Sequence, residues 1–176
     1  MGRETSFGDR RRRGASQSAG MGFHGRPRSI FDLVRDGVEV RVGLERVELE
    51  GQSDVLRVDV AVSNKATHVV AVGPEAVSVV KPGKKPKALR RLDPRDLAYN
   101  ARHAPLSRYG DFEDGVEQLR RMHWQAERIE GEGLRSLQLT TDQGTSGSVW
   151  FANGSKELWV VVEVDGRRWI FPLVLQ

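Results

Sequence analysis

The chain has 176 residues, no cysteine and a net charge of +4 at neutral pH. Its length suffices for one domain with a hydrophobic core. The absence of cysteine excludes disulfides, thiolate metal sites and cysteine nucleophiles. No apolar run approaches the ~20 residues that span a bilayer, and the N-terminus lacks the apolar core of a secretory signal. These features predict a cytoplasmic protein, or an exported one if the sequence is part of a longer chain.

The positive charge is concentrated in residues 1–29, which carry seven arginines and two acidic residues. This Gly-, Ser- and Arg-rich segment predicts a disordered basic tail ahead of a folded domain over residues 30–176. The tail is a candidate to contact nucleic acid or another anionic surface, and a solvated leader without a partner is the alternative. The candidate contacts are Arg10, Arg11, Arg12 and Arg13.

The first part of the domain alternates between apolar and charged residues, which is typical of a sheet buried on one face. Residues 29–35 suggest a short helical turn, and a strand begins at Val38. Its apolar phase shifts near Glu45, which predicts a bulge or a change of sheet. Residues 54–63 predict the next strand, followed by two short strands within residues 68–80. The residues expected to face inward are Val38, Val40, Val42, Leu44, Leu56, Val58, Val60 and Val62.

Two hairpin signals lie near the C-terminus. Asn153-Gly154 and Asp165-Gly166 each separate strand-like runs, and both dipeptides accept the positive φ angles of two-residue turns. Residues 145–176 therefore predict a three-stranded antiparallel meander.

Two helices interrupt the strands between about residues 90 and 130. Asp93-Pro94 predicts the start of the first helix, with Asp93 as the N-cap. The second is expected to begin at Asp111 and to bury one apolar stripe. The members of that stripe are Phe112, Val116, Leu119, His123, Ala126 and Ile129.

The order of these elements predicts a mainly β protein. The number and spacing of the strands favour a two-layer antiparallel sandwich of the immunoglobulin-like kind, with a two-helix insertion and a disordered basic N-terminal tail. An open barrel is the alternative.

Two segments carry a resemblance to known proteins. Val62-Ser63-Asn64-Lys65 ends the second long strand, and Thr145–Phe151 precedes a Val-rich hairpin. Residues 37–176 thereby resemble the immunoglobulin-like β-sandwich modules of uncharacterised bacterial proteins. Many such modules look exported or lipid-anchored, whereas this chain shows no evident signal. The shared motifs are structural, so the resemblance implies no functional residue.

Motifs for catalysis, metal binding or cofactor binding are not evident. The four histidines are not spaced as metal ligands. No serine lies in a nucleophile elbow, and the Gly-Lys segments lack the context of a phosphate-binding loop. We therefore predict a protein without catalytic residues, metal or cofactor.

A basic loop offers one candidate binding site. Its six positive charges within residues 81–91 include no acid among them and form an anion-attracting patch. An exposed loop that protects a sheet edge is the alternative. The candidate contacts are Lys81, Lys84, Lys85, Lys87, Arg90 and Arg91.

The helical insertion offers a second candidate. Trp124 lies about 120° from the predicted apolar stripe, so it is expected either to pack on the first helix or to form part of a partner surface. The candidate partner surface comprises Tyr99, Arg120, Trp124 and Arg128. An exposed sheet edge is another way to recruit a partner, and the short strands at 68–80 are the expected place.

These features favour a noncatalytic protein-binding or assembly module. The alternative is a nucleic-acid-associated protein that uses the arginine tail and the 81–91 loop.

Overall fold

A computed structural model describes residues 30–106, 112–152 and 157–175. In these ranges the chain forms eleven strands, two α-helices and a 3-10 turn at Pro74–Ala76. The strands are β1 (Ile30–Arg35), β2 (Val38–Leu49), β3 (Gln52–Asn64), β4 (Val70–Val72), β5 (Val77–Lys81), β6 (Lys87–Ala88), β7 (Arg91–Leu92), β8 (Leu137–Leu139), β9 (Gln143–Ala152), β10 (Glu157–Val164) and β11 (Arg167–Val174). The helices are α1 (Pro94–Arg102) and α2 (Phe112–Glu132).

The strands form two main antiparallel sheets. The larger has the order β1-β2-β3-β9-β7 and the smaller the order β11-β10-β5-β6, while β4 and β8 form a separate pair. Buried side chains from both main sheets belong to one hydrophobic cluster, the sandwich core. Both helices are inserted between β7 and β8. The predicted mainly β class with a two-helix insertion is therefore confirmed.

The sandwich core follows the alternation of the sequence. Seven of the eight predicted inward residues of β2 and β3 are buried, and Leu44 is partly buried against the same cluster. They meet Leu158, Val160 and Val162 of β10 and Phe171 of β11. Fully burying one such aliphatic side chain contributes about 1.5–3 kcal/mol, so this cluster supplies most of the driving force for the sandwich.

A second core covers part of the opposite face of the five-stranded sheet, here called the outer face. Val55 of β3 and Trp150 of β9 pack there with Ala98 of α1 and Ile129 of α2. This second core explains the shift in phase along β2, because residues from Val47 onwards pack against the helices instead of the smaller sheet. The β2–β3 ladder also shifts register between Val47 and Leu49.

The predicted helical turn at residues 29–35 is wrong, because the chain from Ile30 forms strand β1. Asp36 and Gly37 adopt positive φ angles of 49° and 80°. They make a tight turn, after which all six residues of β1 pair with β2. A two-residue turn of this kind matches the twist of the strands that it joins, and therefore favours a hairpin.

The predicted three-stranded meander is also wrong. β9 pairs with β3 and β7 in the larger sheet, whereas β10 pairs with β5 and β11 in the smaller one. Asn153-Gly154 lies outside the described residues and connects strands of different sheets. The second hairpin is confirmed, since Asp165 and Gly166 have φ angles of 54° and 69° between β10 and β11.

Helix α1 begins as predicted, with the Asp93 carboxylate accepting a 2.8 Å hydrogen bond from the backbone N–H of Arg95. The buried stripe of α2 differs from the predicted one. Val116, Leu119 and His123 are exposed, and the side chain of Phe112 lies outside the described residues. The buried positions are Gln118, Met122, Ala126 and Ile129.

The reason for this shift is that α2 meets the polar β2–β3 turn. The side chain of Gln125 accepts a hydrogen bond from the backbone N–H of Glu50 at 3.0 Å and donates to the carbonyl of Glu48 at 3.3 Å. Gln118 donates to the Glu50 carboxylate at 3.3 Å. Polar residues therefore occupy sheet-facing positions that an apolar pattern assigns to solvent.

Of the two short strands near residues 68–80, β4 provides an open edge in the part of the chain that the structure describes, on the side away from β8, whereas β5 does not. β5 lies between β10 and β6, and β4 pairs with β8. The outermost strands of the two main sheets are β1, β7, β11 and β6. None of the helices in the described ranges is both long enough and apolar enough to cross a lipid bilayer.

Candidate functional site

Helix α2 ends in the middle of the outer face and leaves the rest of that face uncovered. After its last residue, Gly133 forms a parallel bridge with Ser148 of β9. The backbone N–H of Leu134 then donates to the Ser148 carbonyl at 3.0 Å. The end of the helix is thus fixed to the sheet through backbone contacts.

A polar group, the Arg57 cluster, lies at this junction and consists of the buried residues Arg57 and Ser148 and the partly buried residues Asp59 and Glu132. The Nε of Arg57 donates to Asp59 Oδ1 at 2.7 Å and to Ser148 Oγ at 3.0 Å. Its Nη2 forms an ion pair with Glu132 Oε2 at 2.6 Å. Ser148 Oγ donates to Asp59 Oδ1 at 2.7 Å. Two strands and the helix end therefore share one charge network.

The contacts of the Arg57 cluster are those of a structural ion-pair network that joins β3 and β9 to the end of α2. Arg57 is only 8% exposed, and a buried cation requires nearby carboxylates to offset its lost hydration. The Ser148 hydroxyl donates to the Asp59 carboxylate, which is itself hydrogen-bonded to Arg57, so within the described residues Ser148 serves as a bridge between charged groups.

Three of the predicted partner residues lie along one side of α2, because they follow one another at every fourth position. The guanidinium carbon of Arg128 lies 5.0 Å from the centre of the Trp124 ring. Its Nε donates to Glu132 Oε1 at 2.7 Å. Trp124 is 56% exposed and does not pack into a core. Arg120, Trp124 and Arg128 are called the Trp124 stripe below.

Tyr99 lies elsewhere. It is exposed on α1, where its ring stacks on His103 with the ring centres 4.1 Å apart. α1 contacts α2 through Glu130, which lies about 120° around the helix from Trp124. The structure therefore brings Trp124 together with Arg120 and Arg128, and places Tyr99 on a different element.

The contact between the helices includes a bidentate ion pair. The Arg102 guanidinium donates to both oxygens of Glu130, at 2.8 and 2.7 Å. These hydrogen bonds lower the pKa of the Glu130 carboxyl below its ordinary value and raise the pKa of Arg102.

Two clefts occupy the uncovered part of the outer face. The first has a volume of about 500 Å³ and is lined by Arg57, Asp59 and Glu132 together with Ile30 of β1. The second, of about 460 Å³, shares Arg41, Ala61 and Ser146 with the first. The Arg57 cluster thus separates the helix-covered part of the sheet from the open part.

The basic loop is exposed along most of its length. Arg91 donates to the carbonyl of Pro74 at 2.7 Å. The other five predicted contacts, Lys81, Lys84, Lys85, Lys87 and Arg90, form no ion pair with another residue in the described ranges. The predicted tail contacts Arg10–Arg13 lie outside those ranges.

The histidines are dispersed. His68 Nε2 lies 2.9 Å from Asp165 Oδ2 at an exposed position, and His123 is exposed on α2. Within residues 30–106, 112–152 and 157–175, no group of three His, Asp or Glu side chains is placed to hold a metal ion.

Sequence reasoning missed the Arg57 cluster, because the alternation of apolar and charged residues predicted a sheet buried on one face only, which leaves the charged residues of β3 in water. Alternation cannot distinguish a polar face in water from one that a distant helix covers. The only available signal was a pair of opposite charges two residues apart on one strand face.

Comparisons with known proteins show similarity of fold. No protein-family model and no curated protein sequence matches the chain. The yjhA protein of Bacillus subtilis is similar with a TM-score of 0.52 and 12% identity, over 81% of this chain and 96% of that one. The putative lipoprotein ycdA of the same organism gives a TM-score of 0.49 and 14% identity over 81% of this chain. The chain spans 38% of the length of ycdA.

Proposed function

We propose that this protein is a noncatalytic binding module with an immunoglobulin-like sandwich, and that its helical insertion binds a partner protein through the Trp124 stripe. The observation that carries the proposal is the exposed Trp124 ring beneath the Arg128 guanidinium. Tryptophan and arginine are the residue types most enriched among interface hot spots.

The geometry of the stripe favours binding because Arg128, which covers the Trp124 ring, is already held by hydrogen bonding. Arg128 is bonded to Glu132, and Glu132 is paired with the buried Arg57. A side chain that is fixed before binding loses less conformational entropy when a partner covers it, and that loss is about 0.5–1.5 kcal/mol for a free side chain.

The test is a comparison of captured proteins using the full chain as bait. Trp124→Ala should abolish retention of a specific partner, and the Kd of that partner should rise by roughly 30-fold or more, as expected for a hot spot. Trp159→Ala is the matched control, because Trp159 is also a partly exposed tryptophan but lies on the smaller sheet. Partners that survive Trp124→Ala and disappear with Trp159→Ala would refute the proposal.

Nucleic-acid binding through the basic loop and the arginine tail is the second candidate function. Five exposed cationic side chains without an ion pair in the described ranges favour it. Cations that contact phosphates displace counterions, so the logarithm of affinity falls with the logarithm of salt concentration at a slope of about −0.9 per contact.

A titration with duplex DNA, single-stranded DNA and RNA at low and near-physiological salt tests this function. The Arg10–Arg13→Gln variant and the Lys84→Gln, Lys85→Gln variant should each weaken binding to all sequences and flatten the salt slope. The Arg167→Gln, Arg168→Gln variant removes charges from β11 and serves as the control. No binding by the full chain at low salt would eliminate this candidate.

A further inference from the structure

Strand β1 is an outer strand with an unusual side-chain composition. All six of its residues are exposed, and among the strands that the structure describes its hydrogen-bonded neighbour is β2 alone. Four of the six side chains are large and apolar. Ile30 and Val34 are 65% and 67% exposed on the outer face, and Phe31 and Leu33 are 42% and 43% exposed on the sandwich-core face.

The other outer strands of the two main sheets carry features that discourage pairing with another chain. β6 and β7 are two residues long. β11 contains Pro172, which has no N–H to donate, and begins with Arg167 and Arg168. Short length, proline and charge are the usual means of protecting a sheet edge. β1 has six residues and no proline, and its two charged residues, Asp32 and Arg35, are separated by two apolar ones.

The pattern of apolar side chains in β1 is symmetric about Asp32, with two apolar residues on each side. We propose that β1 pairs antiparallel with β1 of a second copy of this chain, around a two-fold axis at Asp32. This pairing sets Ile30 opposite Val34 and Phe31 opposite Leu33, twice each. It is self-complementary, as an interface between identical subunits requires.

The pairing satisfies both the backbone and the side chains of β1. It supplies partners for the outward-facing backbone groups and joins two five-stranded sheets into one of ten strands. Phe31 and Leu33 lie beside Val42 and Val40 of the sandwich core. Contact with the second copy would therefore extend that core across the axis. On the outer face, Ile30 lines the first cleft, so the axis brings the open faces of both copies side by side.

One feature opposes the pairing and provides a sharp test. The two Asp32 carboxylates meet at the axis, and like charges directly opposite each other destabilise a strand pair. Each Asp32 has Arg41 as its register partner in β2, but the Arg41 guanidinium is paired with Glu39, at 2.7 Å. Asp32→Asn should therefore lower the dimer dissociation constant, whereas most changes at a true interface raise it.

Sedimentation of the full chain at concentrations up to roughly 100 μM tests the dimer, because an affinity in the micromolar class saturates there. Val34→Arg should raise the dissociation constant at least about tenfold, because on each side of the axis it replaces the apolar contact between Val34 and Ile30 by a cation against an apolar side chain. The matched control is Val174→Arg, since Val174 is 71% exposed on β11. A monomeric wild-type chain, or a dimer equally sensitive to both substitutions, would overturn the proposal.

Crosslinking checks the position of the axis independently of affinity. The chain contains no cysteine, so a single introduced cysteine can form a disulfide only with another copy. Opposed residues of an antiparallel pair have Cα atoms about 4.5–5.5 Å apart, a separation that a disulfide spans. Asp32→Cys should yield covalent dimers under mild oxidation, while Val174→Cys should not. Equal crosslinking of both variants would exclude pairing at β1.

Discussion

Asn64 is a polar side chain whose every hydrogen-bonding group serves the fold. It is fully buried at the end of β3. Its Nδ2 donates to the carbonyls of His68 and Leu139 at 2.8 and 2.9 Å, and its Oδ1 accepts from the N–H of Ala66 at 2.9 Å. It thereby ties β3 to β8 and to the following loop. The Val-Ser-Asn-Lys segment is thus structural in this chain.

We expect Asn64→Ala to lower the free energy of unfolding by about 3 kcal/mol, because it leaves buried backbone groups without partners. Urea denaturation monitored by circular dichroism measures this loss. Asn100→Ala, at an exposed position of α1, should change stability by less than about 0.5 kcal/mol. Equal effects of the two variants would contradict the assigned role.

The Glu130 carboxyl has a pKa lowered by its hydrogen bonds to Arg102. Its stabilising effect is therefore complete above the ordinary pKa of 4.5 and is lost as pH falls through the lowered value of the folded state. Glu130→Gln should reduce stability at neutral pH and have no such effect in acid below that lowered value. Unfolding curves of both proteins at both pH values test the sign, and a deficit that persists in acid would contradict it.

At the scale of elements, the β1–β2 turn depends on glycine. Gly37 has a φ of +80°, and a Cβ added there would lie 2.9 Å from the Ala66 backbone nitrogen. Gly166 has a φ of +69° with open space around it, and Gly83 has open space without a positive φ. Substitution of these three glycines therefore distinguishes the cost of backbone strain, which applies at Gly37 and Gly166, from the cost of a steric clash, which applies at Gly37.

We expect a graded loss of stability from alanine substitution at these positions. Gly83→Ala should be within about 0.5 kcal/mol of the parent, Gly166→Ala should cost about 1 kcal/mol from strain, and Gly37→Ala should cost more because a clash is added. Chemical denaturation of the three variants gives the order. A cost at Gly37 no larger than at Gly166 would show that Ala66 moves aside easily.

The Arg57 cluster fastens α2 to the five-stranded sheet. Arg57→Ala would leave two partly buried carboxylates without their cation, and we expect a loss of about 3–5 kcal/mol. Arg168→Ala removes one side of an exposed pair with Glu163 and should cost about 0–1 kcal/mol. Similar losses in both variants would indicate that solvent screens the cluster more than its burial implies.

At the scale of the whole molecule, one sheet serves two cores. Val55 and Leu56 are adjacent in β3 and both fully buried, yet Val55 faces the helices and Leu56 faces the smaller sheet. Loss of either core exposes strands that the other core requires. The two cores should therefore unfold together.

We expect one cooperative transition, in which far-ultraviolet circular dichroism and tryptophan fluorescence coincide. Trp150 reports on the helical core and Trp169 on the sandwich core. Leu56→Ala should destabilise this single transition by about 2–5 kcal/mol, and Val55→Ala should shift the same transition to a smaller extent. If circular dichroism and tryptophan fluorescence instead gave separate transitions, the helical insertion would unfold independently of the sandwich core.

The sequence by itself determined the local features of this protein. Alternating valines identified the buried faces of β2 and β3, Asp93-Pro94 marked the start of α1, and Asp165-Gly166 marked the last hairpin. Each of these depends on residues a few positions apart, where backbone geometry and burial leave a periodic pattern. The position of Trp124 beside Arg128 could also be predicted, because residues four positions apart lie on the same side of a helix.

Only the tertiary structure decided which surfaces meet. Gln125 contacts Glu50 across 75 positions of sequence, and Arg57 contacts Ser148 across 91. Such contacts leave no periodic pattern in the sequence. It was therefore not possible to predict the Arg57 cluster, the second core, or the assignment of β9 and β10 to different sheets. The position of β1 at the edge of the described part of the larger sheet was not predictable for the same reason, since local sequence does not specify which strands are neighbours.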